Sequence, residues 1–132
     1  MKLLVVGDAG VGKSTFIDRI ADLCDDGVYR IRFSNQDATG HIELEVIENQ
    51  LPQFELGRSD ACVIAVVYMF DVTDYQSFKK IKEMYDIVLY SYFPEYQMML
   101  SKHKTISMII SSKVDLKNQR EVPPEEVDRC LQ

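Results

Sequence analysis

The stretch GDAGVGKST, residues 7–15, decides how this chain folds. It satisfies G-x-x-x-x-G-K-[ST] at Gly7, Gly12, Lys13 and Ser14, with the context that pattern requires: an apolar run, KLLVV at 2–6, before it and a helical pattern after it. KLLVV has the character of a strand covered on both faces. From Lys13 the period changes. Phe16, Ile17, Ile20 and Leu23 recur at three- and four-residue steps, which predicts one buried helical stripe ending near DDG at 25–27. Strand, glycine loop and helix in that order make a cradle for phosphate. Gly7, Gly10 and Gly12 let the backbone turn its N–H groups inward, and the first helical turn adds its positive dipole end. The expected binding set here is Ala9, Gly10, Val11, Gly12, Lys13, Ser14 and Thr15. Lys13 supplies a cation for the terminal phosphates, Ser14 a hydroxyl ligand for Mg²⁺, and Thr15 a further amide.

Working outward, YRIRFS at 29–34 and HIELEVIE at 41–48 both alternate, with NQDATG between them, and so read as an antiparallel hairpin. NQLPQFELGRSD at 49–60 has no sustained period and reads as a loop or an irregular short helix. ACVIAVVYMF at 61–70 is a buried central strand. Residues 75–92 carry Phe78, Ile81, Tyr85, Val88, Leu89 and Tyr92 on one helical face, opposite Lys79, Lys80, Lys82 and Glu83, and Pro94 ends or kinks that helix. TISMIIS at 105–111 is a further buried strand, and PPEEVDRCLQ opens a helix with proline and acids in its first turn. Strands alternating with helices predict an α/β fold: a mostly parallel sheet wrapped on both faces, with one antiparallel hairpin at an edge.

The 132 residues fit one domain, 1–132, and 46% hydrophobic with 27% charged residues is the balance of a soluble globular protein. A formal net charge of −6 offers no basic field for nucleic acid or an acidic membrane. No apolar run approaches bilayer length and no signal-peptide pattern opens the chain, so the expectation is a cytoplasmic protein without an integral membrane segment. Cys24, Cys62 and Cys130 match neither a metal knuckle nor a disulfide framework, and Cys62 reads as a buried strand residue. His41 and His103 read as surface residues and receive no catalytic role.

SSKVDL at 111–116 follows the strand TISMIIS, at the edge where a parallel sheet presents its loops to ligands. GDAGVGKST, FDVTDYQSF at 70–78 and SSKVDLKNQREV at 111–122 together resemble the Ras superfamily of small GTPases, and within it the Rab branch. The resemblance implies the P-loop small-G-protein fold, GTP or GDP as ligand with Mg²⁺, and roles in vesicle traffic or signalling. In that family an [NT]-K-x-D segment reads guanine. Asp115 would then accept from the base N1–H and exocyclic amine, the Lys113 stem would lie along the ring, and Leu116 would belong to the same nucleotide-binding set. Ser112 stands where the family has Asn or Thr, a residue that ties the base loop to the phosphate loop, and serine reaches less far.

Other parts of the pattern are reduced. Where the family has D-x-x-G-Q, this chain has IENQLPQFELG: Glu48 stands at the aspartate's place, suited to hold Mg²⁺ through water, and Gln50 is the candidate to orient a hydrolytic water beside Lys13. No glycine follows at the family's spacing. No threonine lies between the first helix and the hairpin's first strand, and Thr39 falls in the hairpin connector as a turn residue. The expectation is a domain whose final strand and helix would lie beyond Gln132, with Cys130 placed for no prenylation motif. Tyr96, Met98 and Met99, in a segment rich in Tyr and Met, are the candidate protein-partner contacts, as is the incomplete sheet edge. The functional expectation is guanine-nucleotide binding with weak or helper-dependent hydrolysis. Two rivals stay open: an interaction scaffold that keeps the fold without switching, and an adenine-using P-loop phosphotransferase, against which SSKVD argues.

Overall fold

In the computed structural model, residues 2–47, 63–92 and 106–130 are described. The elements run β1 (Lys2–Gly7), α1 (Lys13–Ile20), β2 (Asp22–Leu23), β3 (Tyr29–Ser34), β4 (Thr39–Ile47), β5 (Val63–Asp71), α2 (Tyr75–Tyr92), β6 (Ile106–Ser112), a 3-10 turn at Lys117–Gln119, and α3 (Pro124–Cys130). The strands form one sheet in the order β2-β3-β4-β1-β5-β6. β1 runs parallel to β4 and β5, and β5 parallel to β6, while β3 is antiparallel to both β2 and β4. This is the mixed, mostly parallel α/β sheet expected from the sequence.

The period-2 alternation of the central strands divides the core in two. Leu4 and Val6 of β1 and Val66, Tyr68 and Phe70 of β5 pack with Phe78, Ile81 and Met84 of α2 on one face. Val5, Val67 and Met69 point the other way, against Val11, Ile17 of α1 and Leu44 of β4. Continuous apolar runs in β1 and β5 are thus the signature of strands buried on both sides. No helix among the described residues is long and apolar enough to cross a membrane.

The expected first helix is corrected. It ends at Ile20, where Ala21 turns extended (φ −135°, ψ 153°), and Asp22–Leu23 form a two-residue strand against β3. Leu23 is 61% exposed rather than part of a buried stripe. The cause is turn chemistry downstream: Gly27 adopts φ 78°, the Cys24 N–H donates to the Val28 carbonyl, and Asp26 Oδ1 accepts the Val28 N–H at 3.1 Å. A tight hairpin satisfies these backbone groups where another helical turn would not. Thr39 is likewise not a turn residue but the first residue of β4, paired with Ser34. His41 is exposed, in β4 opposite Arg32. The readings made for residues 49–60, Cys62, Pro94 and His103 lie outside the described residues.

Candidate functional site

The carboxyl ends of three neighbouring parallel strands bring the sequence motifs together. Gly7, the last residue of β1, is in register with Met69 of β5, and Asp71, the last of β5, with Ser112, the last of β6. The loops that follow these strands therefore leave the sheet side by side, at the edge where open α/β sheets hold ligands.

The first loop, 8–12, has the form that an anion requires. Gly10 (φ 76°) and Gly12 (φ 100°) occupy left-handed backbone, which turns successive N–H groups to one side. A β-carbon on Gly10 would meet nothing within 4 Å, so the space over the loop is open. At Gly7 the reverse holds: a β-carbon there would lie 2.6 Å from the Met69 carbonyl oxygen, so glycine lets β1 and β5 close up beneath the loop. The first helical hydrogen bond of α1 runs from the Phe16 N–H to the Gly12 carbonyl, leaving the N–H groups of Lys13, Ser14 and Thr15 without a helical acceptor. Gly12 is the N-cap and provides no side-chain cap. The helix thus begins with N–H groups that no helical carbonyl takes up.

Lys13 is 3% exposed, and its ammonium donates to the carbonyls of Gly7 (3.0 Å) and Asp8 (2.5 Å). A buried ammonium is costly unless such acceptors surround it. These contacts fold its side chain back over the loop. Val11 is buried in the core at 2% exposure, so only its backbone faces the loop, whereas Ala9, Ser14 and Thr15 are exposed. Asp8 caps its own loop by accepting the Ala9 N–H at 2.8 Å and pairs with Lys80 of α2 at 3.0 Å.

The second loop, 113–116, follows β6. Lys113 has φ 57°, uncommon for a residue with a β-carbon. Its ammonium lies 2.5 Å from Asp71 Oδ2. Burial raises the Asp71 carboxyl, but hydrogen bonds from Lys113 and Thr73 outweigh it and hold the group below the usual aspartate range. Asp115 is exposed and Leu116 half-buried; the Leu116 N–H donates to the Lys113 carbonyl and the Lys117 N–H to the Asp115 carbonyl, closing a tight turn. Ser112 does not use its hydroxyl to reach the phosphate loop: it donates to the Phe70 carbonyl at 2.9 Å, the acceptor that so short a side chain can reach. The two loops still meet, because a β-carbon on Gly12 would lie 3.9 Å from that of Ser112.

Two neighbours of the second loop escaped the sequence reading. Asp71 and Ser77 join that loop to the start of α2: Ser77 is fully buried, and its hydroxyl accepts the Asp71 N–H at 3.0 Å. Both belong to FDVTDYQSF, which carried the resemblance but no assigned role. Glu48, Gln50, Tyr96, Met98 and Met99 lie outside the described residues.

For a hard divalent cation, the described donors are few. Ser14 offers an exposed hydroxyl in the first turn of α1, and no group of three His, Cys, Asp or Glu side chains gathers among the described residues. That donor set fits an ion held mainly by phosphate oxygens and water, as Mg²⁺ is at nucleotide sites.

A glycine loop between strand and helix, beside a second loop at the end of an adjacent strand, defines a P-loop nucleotide-binding α/β domain. The model of the Ras family matches residues 55–132, more than half of the chain, and the chain belongs to that family. It is a GTP-binding small GTPase domain. The matched segment contains β5, α2, β6 and the SSKVD loop, while the phosphate loop stands on its own motif and geometry. A search of curated proteins found no match.

Proposed function

We propose that residues 1–132 form an atypical Rab-like guanine-nucleotide-binding domain that holds GTP or GDP on residues 9–15, reads the base with Lys113 and Asp115 in a loop flanked by Ser112 and Leu116, and hydrolyses GTP slowly. The observation that carries this reading is the convergence of the two loops, with Gly12 and Ser112 in near contact and Lys13 buried within the phosphate loop.

In this reading the N–H groups of the glycine loop and of the first turn of α1 donate to phosphate oxygens, and the Lys13 ammonium adds a charge-assisted bond. Mg²⁺, when bound, supplies Lewis-acid neutralisation of the phosphates. Ser14 would hold it, and Glu48 would reach it through water. The Asp115 carboxylate accepts from the guanine N1–H and exocyclic amine. Adenine lacks that donor pair, and a carboxylate left unpaired at the base disfavours it by about 100-fold or more. Water orientation falls to Gln50. The segment around it lacks the family's glycine spacing, so turnover is slow without a helper protein. A role in vesicle traffic or signalling, in the cytoplasm, follows from the Rab-like pattern.

The test is a competition titration of a fluorescent GDP analogue against GTP and ATP, with Mg²⁺ and with a chelator. Selective displacement by GTP, weakened by the chelator, is expected. Equal displacement by ATP would leave a P-loop domain without guanine reading, and no binding at all would leave a scaffold that keeps only the fold.

A further inference from the structure

Asp71 is the last residue of β5, in register with Ser112, and the nucleotide reading above gives it no task. Its carboxylate is nonetheless fully engaged. Oδ2 lies 2.5 Å from the Lys113 ammonium, and Oδ1 accepts both the Thr73 N–H at 2.8 Å and the Thr73 hydroxyl at 2.6 Å. Its N–H is fixed in turn by the buried Ser77 hydroxyl, which also donates to the Asp74 carbonyl at 2.7 Å, at the start of α2. The side chain of Asp71 is 8% exposed and that of Lys113 is 44% exposed. The carboxylate is therefore too deeply set to meet a ligand in the loop, while much of the lysine remains available to one.

We propose that Asp71 is the positioning residue of the base loop: by holding the Lys113 ammonium from the neighbouring strand, it lays out the Lys113 stem in advance as the wall on which the purine ring rests. This rests on the guanine-nucleotide reading above. A lysine stem is flexible and rich in rotamers, so a free one would have to be ordered each time a base arrived. The hold from Asp71 is in place before binding. It also explains how a residue with a β-carbon keeps left-handed backbone at 113: the ion pair fixes the far end of the side chain and the loop's turn fixes the near end. Thr73 holds the carboxylate from the opposite side, and Ser77 fixes the Asp71 backbone, which ties the base loop to the end of β5 and the start of α2.

The test compares GDP with inorganic tripolyphosphate, a probe that has the phosphates but no base. Affinity and dissociation rate are measured for the wild type, Asp71→Ala, Asp71→Asn, Lys113→Ala and the Asp71→Ala/Lys113→Ala double variant. Asp71→Ala is expected to weaken GDP about 3- to 10-fold, through faster dissociation, and to leave tripolyphosphate unchanged. On the Lys113→Ala background the same change should add less than about 2-fold, because the side chain through which Asp71 acts is gone. Asp71→Asn keeps an amide oxygen for the lysine and should fall between wild type and alanine; it carries the test if the alanine variant does not fold. Equal weakening of GDP and tripolyphosphate, additive losses in the double variant, or unchanged GDP affinity in both Asp71 variants would each overturn the inference. A wild type that binds tripolyphosphate but not GDP would overturn the guanine reading, and this inference with it.

Discussion

The Lys80 ammonium lies 3.0 Å from Asp8 Oδ1, so helix α2 is ion-paired to the phosphate loop itself. Asp8 places a carboxylate next to the ground that phosphates would occupy, and Lys80 offsets its charge. Removing Lys80 should therefore weaken nucleotide binding from outside the loop. Both side chains are partly exposed, 33% and 26%, which limits the pair to about 0.5–1 kcal/mol. Lys80→Ala is predicted to lower GDP affinity about 2- to 5-fold at low salt, with the deficit shrinking at high ionic strength. Isothermal titration at two salt concentrations checks this.

Lys13 carries a larger share. Its buried ammonium is aimed along the loop, and a bond from it to phosphate is charge-assisted. Lys13→Ala is predicted to cost about 2–3 kcal/mol of GDP or GTP binding, roughly 30- to 150-fold, which is well beyond the effect at Lys80. Direct titration of the variant, with circular dichroism to verify the fold, reads the loss.

The glycines of the loop separate stability from binding. At Gly7 a methyl group would meet the Met69 carbonyl oxygen at 2.6 Å and Val11 Cγ2 at 3.0 Å, so Gly7→Ala must push β1 and β5 apart. A loss of about 1–3 kcal/mol in chemical denaturation is predicted. At Gly10 the methyl group meets open space, and the cost is that of the left-handed backbone at φ 76°, about 1 kcal/mol. The ordering of these two midpoints is the check.

Asp71 makes stability depend on pH in a stated direction. Its folded pKa is depressed from the ordinary 3.8, so the folded state favours the carboxylate. The resulting stabilisation is full above that ordinary value and is lost as pH falls through the lower folded value. Asp71→Asn cannot titrate. Wild type should exceed the variant in stability at neutral pH by an amount that stays constant down to about pH 4 and then shrinks. Urea denaturation of both proteins across that range measures the difference.

What the sequence could show divides along physical lines. β1 and β5 were legible because strands buried on both faces need unbroken apolar runs, and the site's two loops because each motif is contiguous. The end of α1 was not, because Ile20 and Leu23 continue the helical period while Asp26 and Gly27, a few residues on, favour a hairpin. In α2 Met84 joins Phe78 and Ile81 in the core, at 6% exposure, while Tyr85 is 43% exposed and lays its ring 5.5 Å from that of Tyr68. Neighbouring apolar residues at the margin of a helical stripe are hard to tell apart by period alone. The Asp71–Lys113 pair spans 42 positions and joins opposite charges that fit any surface, so only the register of β5 with β6 reveals it.

The central claim is that SSKVD reads guanine beside a phosphate loop. Its most direct test is the ratio of GTP to ATP affinity in the wild type and in Asp115→Ala, measured by displacement of one fluorescent GDP analogue. The account predicts a wild-type preference for GTP of about 100-fold or more, which collapses in Asp115→Ala while the weaker binding that remains still depends on Lys13. A wild type displaced equally well by ATP, or an Asp115→Ala variant that keeps its preference, would contradict it.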